Sequence, residues 1–258
     1  MRKILMIVAV MVGMVFFSAQ AEVNKEELFA SMTQKYSGLD SVSGKYVINT
    51  PMMDDIMKMP VDFWEKDDKM RMDMTMVMEA PEIPLPMTQM LFDGQKMIFY
   101  DKILNTVMTF DLNKIPEPEN IKPRMGKGMV TDINLSKLVE KSTVEEKSRD
   151  GKKFYLITVA DITDTDIGNI YPGMGMPGKK MFKKMFKKVV LWINQSSLLP
   201  EKIEFYGKKD TPSMWIDILE IKTDIIPDSI FKLDIPRDAK YMDMTESLKK
   251  MSELMKRD

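Results

Sequence analysis

A chain of 258 residues with no histidine and no cysteine has few groups able to do chemistry. Serine–histidine–aspartate and cysteine–histidine catalysis are out of reach, as is zinc held by imidazole or thiolate. There is no G-x-S-x-G elbow and no phosphate-binding loop, and no S-x-x-K stands in a credible context. Carboxylates are plentiful, but Asp54, Asp55, Asp67, Asp68, Asp161, Asp164 and Asp166 fall in polar, turn-like stretches, where solvated charge accounts for them. The Asp161–Asp166 stretch lacks the glycine and the terminal glutamate of an EF-hand loop. The expectation is a protein that is not an enzyme, with no catalytic residue, no metal site and no cofactor.

What remains is the thioether. Methionine supplies 29 of the 258 residues, and Met70, Met72, Met74, Met76 and Met78 alternate with Arg71, Asp73, Thr75 and Val77. In a strand those five methionines share one face. Three readings of that face stand open. It is a packed core in a chain that uses methionine freely, or a deformable apolar wall for a ligand of variable shape. The third is a soft-metal site for Cu(I), with Met57-Lys58-Met59 and Met174-Gly175-Met176 as further pairs. Successive methionines on one strand face stand about 6–7 Å apart, so a metal would need ligands from neighbouring strands.

Elements must position this face. Lys25 to Tyr36 reads as an amphipathic helix with Leu28, Phe29, Met32 and Tyr36 on one side and Gly38 as its stop. Beyond it the period falls to two. Asp93-Gly94 lies between the apolar runs Met87–Phe92 and Met97–Tyr100, Asp150-Gly151 lies between the strand-like runs Val144–Ser148 and Phe154–Val159, and both predict hairpins. Val189–Ile193, Glu201–Tyr206 and Met214–Lys222 follow with short polar turns between them, and Phe231, Leu233 and Ile235 alternate with Lys232 and Asp234. Strands joined this closely are antiparallel. Short helices are expected at Ile133–Lys141 and Met244–Lys256, the latter with Met244, Leu248, Met251 and Met255 on one side. The class is α+β, a large twisted antiparallel sheet or open barrel with a few helices.

The N-terminus has the pattern of a cleaved secretory signal peptide over residues 1–21: Arg2-Lys3, an apolar run Ile4–Phe17, then Ser18-Ala19-Gln20-Ala21. A single domain over 22–258, secreted across the inner membrane and soluble in the periplasm, is the expectation. The net charge of -1 gives no drive toward nucleic acid. One basic run departs from that balance. In Lys179–Lys188, Met181, Phe182, Met185 and Phe186 gather on one helical side and the lysines on the other. This is either a lid or a transient membrane contact, and Gly173, Gly175 and Gly178 would hinge it.

In order along the chain come SVSGKYVI, FWEKDDKMRMDM, LFDGQKMIFYD, VMTFDLNK, INLSKLVEK, VVLWINQSSLLPEKIEFYG and IPDSIFKLDIPRDA. The ordered set resembles the periplasmic outer-membrane lipoprotein carriers (LolA-type, within the LolA/LolB-like superfamily). The resemblance implies a half-open antiparallel β-barrel of about eleven strands, with helices covering its concave face over an apolar cavity for acyl chains. It implies that Tyr46, Met70, Met72, Met74, Met76, Met78, Phe99 and Trp192 line that cavity. It further implies a monomer that takes lipoprotein or lipid cargo from an inner-membrane donor complex to an outer-membrane acceptor. The family also carries an arginine in the stretch matching FWEKDD; here Lys66-Asp67 stands there, with Arg71 nearby. The alternatives to a carrier are a Cu(I)-binding protein and a lipid-sensing envelope regulatory domain.

Overall fold

A computed structural model describes residues 23–52, 55–79, 82–115, 139–160, 185–247 and 249–250, with residues 37, 78, 79 and 82–86 by backbone alone. Helix α1 is Lys25–Ser37. Asn24 caps it by accepting from the Glu27 N–H at 3.1 Å, Glu26 and Glu27 sit against the positive end of the helix dipole, and Gly38 follows its end. Leu28, Phe29, Met32 and Tyr36 are all buried, as their spacing predicts. Burial of each is worth roughly 1.5–3 kcal/mol, which fastens the helix to the sheet. Two tethers set its direction. At its start the Lys25 ammonium donates to the carbonyls of Val139 and Ser142, and at its end the Tyr36 hydroxyl donates to the Leu198 carbonyl.

The strands are β1 Ser41–Met52, β2 Asp55–Lys66, β3 Lys69–Glu79, β4 Glu82–Phe92, β5 Lys96–Asp101, β6 Thr106–Asp111, β7 Ser142–Arg149, β8 Lys152–Ala160, β9 Lys188–Asn194, β10 Pro200–Tyr206, β11 Pro212–Lys222 and β12 Lys240–Asp243. They form one open sheet in the order β12-β6-β5-β4-β3-β2-β1-β11-β10-β9-β8-β7. The architecture is the half-open barrel of the α+β class, with twelve strands among the described residues where about eleven are expected. The hairpin turns fall where Asp-Gly predicts them. Gly94 (φ 94°), Asp150 (φ 52°) and Gly151 (φ 75°) take left-handed backbone, and the Asp93 carboxylate accepts from the Gln95 and Lys96 amides.

One side of the sheet carries the main core with α1 packed on it; we call this the inner face. It includes Val42, Tyr46, Phe63, Met72, Met90, Ile157, Ile193, Phe205 and Ile216. Gly44 sits within it as a required gap: a Cβ there would lie 2.1 Å from the Glu220 carbonyl oxygen and 2.8 Å from the Phe63 ring.

The C-terminal part departs from expectation. Phe231, Leu233 and Ile235 do alternate in burial with Lys232 and Asp234, but they form no strand. The segment after β11 crosses the outer face, making a short 3-10 turn at Asp228–Phe231. Ile226 and Phe231 bury against Leu91 there, with Trp64, Ile98, Ile230 and Leu233 around them. A segment lying flat on a sheet alternates without pairing. The crossing delivers β12 to the far edge, where it pairs with β6 in parallel, Tyr241 opposite Val107. Parallel pairing was not expected. Residues 245–247 and 249–250 are helical; residues 248 and 251–256 of the expected Met244–Lys256 helix lie outside those described, as do 1–22, most of 133–141 and 161–184.

Candidate ligand-binding face

Residues directly opposite in neighbouring strands share a face, so the pairings give the inner surface row by row. Gly44, Phe63, Met72, Met90, Phe99 and Met108 form one row across β1 to β6. Tyr46, Val61, Met74 and Thr88 form the next. Met70, Phe92, Met97 and Phe110 form the row on the other side. The thioethers of β3 therefore stand inside a larger apolar field with methionines from β4, β5 and β6.

Burial along β3 is graded. Met70 and Met72 are sealed, Met72 at 1% exposure beside Met90 at 0%. Met74 and Met76 are half-buried, as are Phe99, Met108 and Phe110 on the neighbouring strands. Met78 pairs by backbone with Ile83 further along. One end of the methionine strand is sealed core, and the other is only partly buried, with Met74 packed against the edge of that core.

Tyr46 marks the transition. Its hydroxyl donates to the Met72 sulfur at 3.7 Å, a weak acceptor, and its ring lies 5.8 Å from Phe63. Burial raises the phenol far above its ordinary value and keeps it neutral. Phe99 meets Phe110 edge-on at 5.6 Å. Tyr46, Met70, Met72, Met74, Met76 and Phe99 are thus brought together on one face.

Trp192 is not with them. Leu191 and Ile193 of β9 turn inward, and Trp192 stands on the outer face with Phe154, Leu156, Val190 and Tyr206. Its indole N–H donates to Glu204 at 3.1 Å, and the Arg149 guanidinium lies 4.7 Å over its ring. Glu204 also accepts from the Tyr206 hydroxyl at 2.9 Å and the Lys202 ammonium at 3.0 Å. Burial alone would push this carboxyl up, but the hydrogen bonds from Trp192, Lys202 and Tyr206 outweigh it and hold the group below its ordinary value. Tyr206 is pushed up to about 12, first by burial and then by the Glu204 carboxylate.

The basic run divides as well. Met181 and Phe182 lie outside the described residues. Met185 is 45% exposed, whereas Phe186 is 2% exposed and packs 5.3 Å from Phe205. Met185 is helical and the chain leaves that conformation before β9 begins at Lys188, so the two side chains part here. Arg71 occupies a position that the methionine pattern obscured. It bonds Asp73 through two nitrogens at 2.8 and 2.7 Å, donates to the Ile230 and Lys232 carbonyls, and lies 5.5 Å over Trp64. It fastens the crossing segment to the outer face.

Neither a family model nor a curated protein matches the chain. Solved structures similar to it span most of its length. An uncharacterized conserved protein from Thermus thermophilus has 8% identity and a TM-score of 0.49, covering 84% of this chain and 98% of that one. LprF from Mycobacterium bovis has 16% identity and a TM-score of 0.42, covering 83% and 97%. A LolA superfamily protein from Nitrosomonas europaea has 15% identity and a TM-score of 0.34, covering 82% and 99%. Among the described residues no helix is long and apolar enough to cross a membrane.

Proposed function

We propose that this protein binds the acyl chains of a lipid or lipoprotein against the inner face of its half-barrel and carries them through the periplasm toward the outer membrane. One observation supports the reading: the thioether face is sealed at Met70 and Met72 but only partly buried at Met74, Met76 and Phe99. A core has no need of that gradient, and a wall that takes hydrocarbon does. Moving a CH₂ out of water is worth about 0.8 kcal/mol, so a sixteen-carbon chain represents roughly 12 kcal/mol as an upper bound. Cargo of that kind does not cross water unaided at a useful rate. A flexible, polarizable methionine wall fits tails of different shape without locking any of them in place. The protein acts by binding, and the signal-peptide pattern of residues 1–21 supports the compartment.

Native mass spectrometry of protein purified from its own host tests this, with extractable acyl chains as the expected result. Met74→Glu is expected to cut lipid uptake at least tenfold while the circular dichroism spectrum is retained. Protein that carries no lipid, together with a Met74→Glu variant that unfolds, would show the face to be core alone.

A further inference from the structure

The two rims of the sheet differ in what their turns display. Tyr46, Val61, Met74, Thr88, Asp101 and Thr106 stand in one row across β1 to β6. Just beyond that row, at the partly buried end of the methionine face, β5 and β6 are joined by Lys102, Ile103, Leu104 and Asn105. Ile103 and Leu104 are 63% and 68% exposed, and the Lys102 N–H donates to the Met87 carbonyl of β4 at 3.0 Å. The tip therefore sits beside the strand that pairs with Met76. At the same rim Met52 stands exposed where β1 ends, and exposed Met185 shares a lining with Pro51. The turns of the opposite rim are polar: Asp67-Asp68, Asp93-Gly94, Asp150-Gly151 and residues 194–197. Ile225, in the segment leaving β11, is the one large apolar side chain exposed there among the described residues.

The β5–β6 tip is firmly built. The Asp101 carboxylate accepts from the Ile103 and Leu104 amides, each at 2.9 Å, and the Thr106 hydroxyl donates to the Leu104 carbonyl at 3.0 Å. Asn105 takes left-handed backbone (φ 47°), accepts from the Tyr100 hydroxyl at 3.1 Å and donates to Asp238 at 3.1 Å. None of these bonds uses the Ile103 or Leu104 side chain, and turn chemistry favours polar residues at such positions. Single exposed apolar residues are ordinary, but four at one rim, facing polar turns at the other, mark a contact surface. Charge does not choose its partner: Asp101 and Asp238 stand with Lys102 and Lys240 at this tip, and Asp55 and Asp210 with Lys208 and Lys209 at neighbouring turns. Apolar area is what the rim offers, and it offers it on separate turns. A fluid bilayer accepts separate apolar points, whereas a shaped protein pocket needs them contiguous.

We propose that this rim docks on a phospholipid bilayer, with Ile103 and Leu104 entering the boundary between headgroups and acyl chains. The inference rests on the acyl-chain reading for its purpose: docking sets the partly buried end of the methionine face against the layer that gives or takes the cargo. The contact itself is measured separately from uptake. A turn already fixed by its own hydrogen bonds inserts with little further ordering cost.

Phosphatidylcholine vesicles test it, with protein purified from its own host. The chain has no cysteine, so Leu104→Cys and, on the opposite rim, Gln95→Cys each take a single environment-sensitive dye. The expected result is a saturable blue shift from position 104 and none from position 95. In unlabelled protein, Ile103→Asp/Leu104→Asp is expected to cut co-flotation with the vesicles at least tenfold while uptake of a monomeric fluorescent fatty acid is retained. Met74→Glu should do the reverse. No flotation of the parent, equal flotation of the double variant, or an equal dye response at both positions overturns the proposal. So does a parent that sediments as a dimer and a double variant that sediments as a monomer, since the tip would then belong to a contact between copies of the chain. Tip-dependent flotation without any fatty-acid uptake by the parent would sustain the docking and overturn the acyl-chain reading instead.

Discussion

At the scale of single residues, two outer-face groups hold more of this molecule together than their neighbours suggest. Arg71 joins three things at once: the Asp73 carboxylate, the Trp64 ring and the Ile230 and Lys232 carbonyls of the crossing segment. Hydrogen bonds to charged groups contribute about 1.5–3 kcal/mol. Arg71→Ala is therefore expected to lower the unfolding free energy by roughly 2–3 kcal/mol in urea titrations. Arg71→Lys should restore less than half, since an ammonium lacks the planar fork. Glu204 makes a pH-dependent contribution. Its carboxyl titrates lower in the folded state than in the unfolded state, so its stabilisation is present above the unfolded value and is lost as pH falls through the folded one. Thermal melts should show stability declining below about pH 4.5, with Glu204→Gln flattening that part of the curve. A profile unchanged by the substitution would rule out the linkage.

At the scale of elements, β3 is the instructive case. Its period-two thioethers announce one face, but not that the face changes character along its length. Met72→Glu would bury a carboxylate among Phe63 and Met90, at a cost of several kcal/mol. Met74→Glu places the same group where water reaches it. The pair should separate cleanly in denaturant melts, with Met72→Glu far the weaker. Gly44 fixes the β1–β11 approach in a related way. Gly44→Ala would set a methyl 2.1 Å from the Glu220 backbone oxygen, and overpacking of this kind typically costs about 1–3 kcal/mol. An alanine variant as stable as the parent would mean that the strands part readily at this point.

For the whole molecule, the outer segment acts as a strap. It leaves β11 in mid-sheet and ends at the edge beyond β6, so six strands lie between its ends. Its anchors are spread along it: the Ser41 hydroxyl on the Asp224 carbonyl, Ile226 and Phe231 in one small cluster, the Lys66–Asp228 ion pair, Arg71, the Asn105 amide on Asp238, and the pairing of β12 with β6. Edge strand β12 has all four side chains exposed, whereas β1 is paired on both sides by β2 and β11. Hydrogen exchange should accordingly show the β12 amides opening well before those of β1. Equal protection would mean that the strap and the sheet unfold as one unit.

The sequence by itself determined what a few neighbouring residues can specify. Asn24 and Gly38 bound α1, Asp93-Gly94 and Asp150-Gly151 make the left-handed turns, and the alternation from Met70 to Met78 commits β3 to a one-sided thioether face. These rest on backbone preferences and local hydrogen bonds that act over three or four residues. The side on which Trp192 stands was not legible, because Val189–Ile193 is apolar at every position and a period of two then has no preferred phase. Phe231, Leu233 and Ile235 carry a strand's alternation although their segment pairs with nothing, and β12 is too short to signal a parallel edge. Those choices, and the passage of the methionine face from sealed to partly buried, were made only by the tertiary structure. Packing between strands far apart in sequence selects among local patterns that are equally good on their own.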